Sequence, residues 1–406
     1  MTALMELRPV ESQASPTSTP ARAVGRGSVA VIDALAPEWR ALCAEGTHNQ
    51  PFYRPEWIAA YLRAFEPNAS VLLIKVRQGG RLRAVLPLIE ERLGQFGLGA
   101  TRLRAPVNEH SNRFDLIHGV GDGDLAKASI WRTLTDLPGW HALDIRDVPE
   151  DGALFSLIES AWRDGFPTSA RKTLSSPYFA LEAPTDLDSV LDPLEANFRR
   201  KVRSGRKKLD AMGPVRIRML DHADPDTIAR FIVVEHAGWK GRSGSAIPYR
   251  AETRRFHNEL ADAASPHGYL SLYELTCGDR PVAINLGFTL DNRFFVPKVA
   301  NHEAFKAVGP GHVMVAEISR QLFGQNVVEF DMLGHDEPYK KRWTPKYRQH
   351  YHCHVFGNGA VGGALQTWTE RVMPAGRRVH RTIRRLTSQQ RNRPAASQAF
   401  TLEHNP

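Results

Sequence analysis

Cysteine is scarce. The 406 residues hold only Cys43, Cys277 and Cys353. An odd, widely spaced set excludes a disulfide framework and a CxxC metal knuckle, and it suits a reducing compartment. No run reaches the ~18 apolar residues that a membrane-spanning helix needs. Residues 1–27 carry Glu6 and Glu11 in a Ser/Thr/Pro-rich stretch with no continuous apolar core, so a signal peptide is excluded and the cytoplasm is the expected location. The 31 glycines and 27 prolines follow no period, which excludes fibrous and collagen-like classes. Acidic residues are missing between Arg371 and Arg393, where eight arginines stand. That tail accounts for nearly all of the net charge of +9, so the body of the chain does not have the overall basicity of a nucleic-acid binder.

What is present is ordinary globular material. The hydrophobic fraction is 42% and the length predicts two or three domains. The reading divides the chain into a disordered leader at 1–27, a first domain at 28–170, a second at 171–356, and a linker with a basic tail at 357–406. Structure is expected to start at the apolar run Val29–Ile32. Trp57, Tyr61 and Phe65 recur every fourth residue beside Ile58 and Leu62, which predicts a helix over 54–65 with Pro55 in its first turn. Val71–Val76 and Leu82–Leu86 flank Gly79-Gly80, a hairpin whose turn needs positive φ. Further strands are expected at 102–104, 114–117 and 142–145, with helices at 125–137 and 152–165. Residues 166–188 read as a joint.

A basic helix is predicted at 193–212, and the first half's order then returns. A helix spans 249–264, and a hairpin of Leu270–Leu275 and Val282–Leu286 turns through Gly278. Gly79, Ala84 and Val85 fall on Gly278, Ala283 and Ile284 without a gap. This internal repeat predicts an α+β fold of two tandem modules, each a mostly antiparallel sheet flanked by helices. Strands at 293–296, 327–330 and 349–356 and an amphipathic helix at 312–323 complete the second copy.

Two segments carry candidate chemistry. Lys306-Ala-Val-Gly309-Pro-Gly311-His312 lies between a strand and a helix, where glycines permit a sharp turn and the helix start offers free N–H groups to an anion. Spacing alone does not separate this from plain turn chemistry. Asp331-Met-Leu-Gly334-His-Asp-Glu-Pro-Tyr339-Lys340-Lys-Arg-Trp343 puts a carboxylate, a glycine turn and two aromatics at a strand's end, as either a site rim or a packed connection. His350, His352 and His354 alternate along a strand, but no carboxylate or cysteine follows at fixed spacing, and no metal is expected. The tail arginines, with Trp368, Val372, Val379, Ile383 and Leu386, suit either a solvated segment or weak contact with an anionic membrane surface.

The chain resembles the acetyltransferase domain of the GNAT superfamily, as found in CelD-like or BioF2-like proteins. The residues carrying the likeness are Asn197–Arg203 with Lys208-Leu209, Glu235, Trp239-Lys240, Pro281–Ala283, Gly309-Pro-Gly311, Asp331, Tyr339-Lys340 and Trp343. Phe52 with Trp57, Leu86-Pro-Leu88, Pro106-Val-Asn108 and Asp115 extend it to the first half. Such proteins resemble the Fem-type transferases, which have two GNAT-like domains. The resemblance implies acetyl-CoA or another acyl-CoA as donor, used on an amine or hydroxyl of a small-molecule or saccharide acceptor in polysaccharide or envelope biosynthesis. Lys306, Gly309, Gly311 and His312 match the pyrophosphate loop, with Lys where Arg or Gln is usual and with Pro310 removing one donor. Ile284 and Asn285 are expected beside the acyl carbonyl, between splayed strands at 284–286 and 293–296. Tyr339 takes the position of the proton donor to the leaving thiolate; Asp331, Glu235 and His236 are candidate bases. Trp239, Lys240, Arg199, Lys340 and Trp343 are candidate acceptor-binding residues. A Fem-like exchange of donor for aminoacyl-tRNA, the one nucleic-acid partner considered, and a non-catalytic scaffold stand as the alternatives.

Overall fold

A computed structural model describes residues 19–46, 49–94, 99–181, 186–222, 225–236 and 251–372. The first half contains β1 (Ala21–Gly27), α1 (Ala30–Glu45), α2 (Pro55–Phe65), β2 (Ser70–Gln78), β3 (Arg81–Leu93), β4 (Ala100–Arg104), β5 (Ile117–His118), α3 (Gly123–Asp136), β6 (Ala142–Pro149), α4 (Ala153–Arg163) and β7 (Thr168–Ala180). After the short α5 (Leu187–Leu191), the second half contains α6 (Ala196–Met212), β8 (Val215–Leu220), α7 (Pro225–His236), α8 (Ala251–Ala264), β9 (Leu270–Cys277), β10 (Arg280–Leu290), β11 (Arg293–Asn301), α9 (Pro310–Phe323), β12 (Glu329–Asp331) and β13 (Tyr347–Phe356), with α10 (Ala360–Thr367) following.

The α+β architecture of two related modules is present, and its symmetry is sharper than the sequence repeat. The strands form one sheet in the order β1-β2-β3-β4-β6-β13-β7-β12-β11-β10-β9-β8, with β5 beside β3. Read from either edge, three antiparallel pairs lead to one parallel pair, β4 with β6 or β11 with β12. Each module's last strand then lies next to the other module's parallel pair, so β13 joins β6 and β7 joins β12. The two exchanged strands pair with each other at the centre of the sheet.

Local chemistry explains the recognisable parts. Gly79 and Gly80 have φ of 58° and 76°, the turn that lets β2 and β3 pair from Gln78 with Arg81 onward. Helix α2 is buried on almost every side, and its aromatic stripe crosses between modules: Trp57 and Phe65 meet Phe256 of α8 at centroid distances of 5.5 and 5.4 Å.

Several expectations differ. Strand β1 occupies the last part of the expected leader, on the exposed edge of the sheet, where a polar strand is tolerated. The apolar run at 29–32, where structure was expected to start, opens helix α1; Pro37 in that helix obscures its periodicity. The expected joint contains the 13-residue strand β7, and the division at 170/171 falls inside it. Helix α10 stands in the expected glycine-rich linker. The three cysteines are buried and unbridged. Among the described residues no helix is long and apolar enough to cross a membrane. The tail beyond Val372 lies outside them, Val379, Ile383 and Leu386 included.

Candidate functional site

Strands β11 and β12 pair only through Arg293–Phe295 and Glu329–Asp331. Beyond that the chain after β12 turns away, with Leu333 and Gly334 both at positive φ, while β11 continues beside β10 to Asn301. The gap is a cleft of 540 Å³, within the range of small-molecule sites. The acyl site was expected between β10 and β11, but those strands stay paired except at one bulge, where Val296 and Pro297 face the single residue Gly287. Ile284 is fully buried in that pairing, and it does not line the cleft.

One wall is the turn into α9. Gly309 caps the helix at φ 65°, in the left-handed region that favours glycine, and Pro310 occupies the first helical position. The His312 N–H is already bonded to Gly309 O at 3.0 Å; the Gly311 N–H has no partner among the described residues. Lys306, Gly309, Gly311 and His312 all line the cleft. Behind the turn, α6 presses so closely that a Cβ on Gly205 would overlap the Val308 carbonyl oxygen.

Tyr339 lines the cleft too. The residue is 38% exposed, yet desolvation of its phenol by the surrounding loop, and then the neighbouring Glu337, raise it above the ordinary range, so it holds its proton. Its ring lies 6.4 Å from that of His312. Burial, helped by Lys201 and Arg342, lowers His312 to about 4 and keeps it neutral. Trp343 Nε1 donates to His312 Nδ1 at 3.2 Å, which leaves the ring proton on Nε2. Glu235 lines the cleft with its carboxylate 3.3 Å from Lys298 Nζ. Asn285 is 2% exposed and lines the floor. Glu109 and Asn112 of the first module reach the same cleft, as do Asn301, His302, Glu303, His335 and Glu337. His335 and Glu337 belong to the segment singled out as a possible site rim, though neither was named as a candidate; sequence reasoning missed the others, and for Glu109 and Asn112 no local pattern signals a residue that reaches the other module.

Other candidates hold the frame. Asp331 is fully buried and lies outside the cleft lining; it pairs with Arg113 of the first module, and with Arg348 at 2.9 Å, while Leu333 N–H donates to its other oxygen at 3.0 Å. Both oxygens are engaged, so the residue is placed as an anchor, not as a base. Lys340 lines the cleft, but its ammonium group donates to Leu333 O at 2.7 Å and His335 O at 3.1 Å and pairs with Glu337 at 2.7 Å, which uses all three protons on the loop itself. Trp343 is 5% exposed, and its ring packs on Phe179 and Phe198; it positions His312 and does not line the cleft. Arg199 donates to Asp192 O and lies in a shallow basic groove on α6, apart from the cleft lining. The side chain of His236 and all of Trp239 and Lys240 lie outside the described residues. A larger groove of 620 Å³ runs along edge strand β8, but Arg206, Arg218, Arg230 and Arg320 in it are turned onto Glu274 and Glu317, and none of the candidate residues reaches it.

Residues 196–341 match the family model described as an acetyltransferase (GNAT) domain. No curated protein matches the sequence. Among solved structures, the fold is similar to that of FemX, with a TM-score of 0.53 and 12% identity over 78% of this chain and 95% of that one. It is also similar to a conserved protein of unknown function from Bacteroides thetaiotaomicron, with a TM-score of 0.52 and 9% identity over 82% of this chain and 98% of that one. At such identities the likeness is one of fold. The domain match likens residues 196–341 to a GNAT acetyltransferase domain.

Proposed function

We propose that the chain transfers an acyl group from acyl-CoA to an amine or hydroxyl, with the donor seated between β11 and β12. The observation that carries this is the cleft itself, which is lined both by a helix start with an open Gly311 N–H and by a protonated Tyr339. The turn at Gly309–Gly311 and Lys306 would face the donor's pyrophosphate. Backbone N–H groups of β11 near the Val296–Pro297 bulge would take the charge that develops on the acyl oxygen. Pro297 has no N–H, so that task falls to its neighbours. Tyr339 would give its proton to the departing thiolate. Glu235 is the base candidate with a place in the cleft, and its pairing with Lys298 fixes the carboxylate's orientation. The carboxylates of Glu109, Glu235, Glu303 and Glu337 and the amides of Asn112, Asn285 and Asn301 form a polar lining suited to a hydroxyl- or amine-bearing acceptor such as a saccharide. A role in polysaccharide or envelope biosynthesis would fit the CelD-like or BioF2-like resemblance.

The test is release of free thiol from acetyl-CoA by the full chain, with a panel of amino sugars and sugars as acceptors. Turnover that requires acceptor and disappears in Tyr339→Phe is expected. A flat calorimetric titration with CoA, together with no thiol release, would overturn the reading.

A second reading keeps the site and changes the donor to aminoacyl-tRNA. It is favoured by the FemX-like fold and by the groove of Arg199, Arg200, Arg203 and Lys207 on α6. Binding of tRNA that weakens steeply with added salt would support it, and salt-insensitive turnover with acyl-CoA would exclude it.

A further inference from the structure

A cluster of side chains outside the lining of the cleft carries its own chemistry. Strands β6 and β13 are antiparallel neighbours, and His354 lies directly opposite Asp144. His352 lies two residues away on the same face. A bulge at Arg146–Asp147, with Asp147 at φ 58°, shifts the register beyond this point, so His350 is not a member of the cluster. Asp144 Oδ1 is 2.6 Å from His352 Nε2 and 3.8 Å from His354 Nε2, and one ligand atom from each of the three residues lies within 4.8 Å of the others.

We propose that Asp144, His352 and His354 bind a divalent transition-metal ion of the Zn²⁺ class. An Asp–His ion pair alone would use one imidazole; here a second one aims Nε2 at the same oxygen from beyond hydrogen-bonding reach. Tetrahedral Zn²⁺ with bonds of ~2.0–2.2 Å sets its ligand atoms about 3.3 Å apart. That spacing falls between the two observed distances, so small side-chain rotations admit the ion.

The surroundings are arranged as outer-shell support. Ser169 Oγ meets His354 Nδ1 at 3.3 Å and fixes the ring, and Arg102 Nη1 donates to Asp144 Oδ2 at 2.9 Å, leaving Oδ1 for the ion. The side chains of His352 and His354 are 11% and 13% exposed, enough for an ion to enter and for water to complete the coordination.

The fold's own symmetry supplies an independent argument. Asp144 ends the parallel ladder of β4 with β6, and Asp331 ends that of β11 with β12. Asp331 is balanced by two guanidinium groups, those of Arg113 and Arg348. Asp144 has one, from Arg102 on Oδ2, and the two imidazoles face its other oxygen, Oδ1.

The test uses the full chain, stripped with a chelator and titrated with Zn²⁺ against a chromophoric competitor, then with Co²⁺ followed by visible absorption. One tight equivalent is expected, with ligand-field bands of a four-coordinate Co²⁺ site. His354→Ala should weaken Zn²⁺ binding at least 100-fold and abolish the bands, Ser169→Ala should weaken it about tenfold, and His222→Ala, on an exposed imidazole elsewhere, should change nothing. Absence of a stoichiometric equivalent on the wild type would overturn the proposal whether or not the variants fold. So would wild-type affinity in a folded His354→Ala.

Discussion

Replacing Asp331 with Asn separates an anchoring role from a catalytic one. The side chains of Asp331 and Arg113 are 0% and 2% exposed, and the pair joins residues 218 positions apart. Without the carboxylate charge, Arg113 keeps Gln50 as a neutral partner at 2.8 Å, and its Nε has none. Arg348 is less affected, because it retains Glu329 at 2.6 Å. Breaking a buried pair by removing one partner costs about 3–5 kcal/mol, mostly through the charge left behind. At about 2.1 cal/mol/K of unfolding entropy per residue, a chain of 406 residues shifts by roughly 1.2 °C per kcal/mol, so the melting midpoint should fall by about 4–6 °C. Thermal and urea unfolding of the full chain measure this, with turnover assayed well below the midpoint. Because the penalty comes from an orphaned charge, Arg113→Met/Asp331→Leu should recover most of the loss. An unchanged midpoint with abolished turnover would refute the argument and return Asp331 to the role of base.

Tyr339→Phe should lower kcat for thiol release by about 10²–10⁴ with little change in donor KM, as read from steady-state kinetics. Gly205→Ala should force α6 away from the Val308 carbonyl, costing about 1–3 kcal/mol in urea unfolding and raising donor KM, whereas Gly363→Ala, with open space around its Cβ, should do neither. Acid should destabilise the fold before the carboxylates titrate. His350 is fully buried with neither ring nitrogen partnered, and burial lowers it to about 3, so below pH ~6.5 the unfolded chain takes up a proton that the native state refuses. Stability should therefore decline by about 1.4 kcal/mol per pH unit for this group as the pH falls from 6.5 toward 3, and His350→Leu should flatten that part of the Tm–pH curve.

What the sequence reveals here is what neighbouring residues decide. The glycine pair at 79–80, the stripe of α2 and the turn at 309–311 depend on local spacing, and they are where periodicity places them. Strand β7 was hidden because its sequence, TSARKTLSSPYFA, alternates weakly; its place is set by β13 and β12, which come more than a hundred residues later. Strand β1 was hidden for a related reason, since an edge strand with its side chains largely exposed needs no apolar alternation. Lys340 and Asp331 look like site residues in one dimension because a charged residue beside a glycine turn fits either role. Only the positions of Leu333 O, His335 O and the two arginines distinguish them. Likewise, the carboxylate that turns two alternating histidines into a cluster comes from a strand two hundred residues upstream.

The exchange of strands at the middle of the sheet has a consequence for anyone dissecting the protein. The span 196–341, which matches the acetyltransferase family on its own, includes neither β7 nor β13. Excised, it would lose the neighbour of β12 and bare a raw, adhesive border beside the very cleft under study. A fragment ending before residue 347 would do the same to β6. The two modules behave less like beads on a string than like clasped hands: neither can be lifted out whole, and a duplicated gene that had reached this arrangement could no longer shed one copy and keep the other.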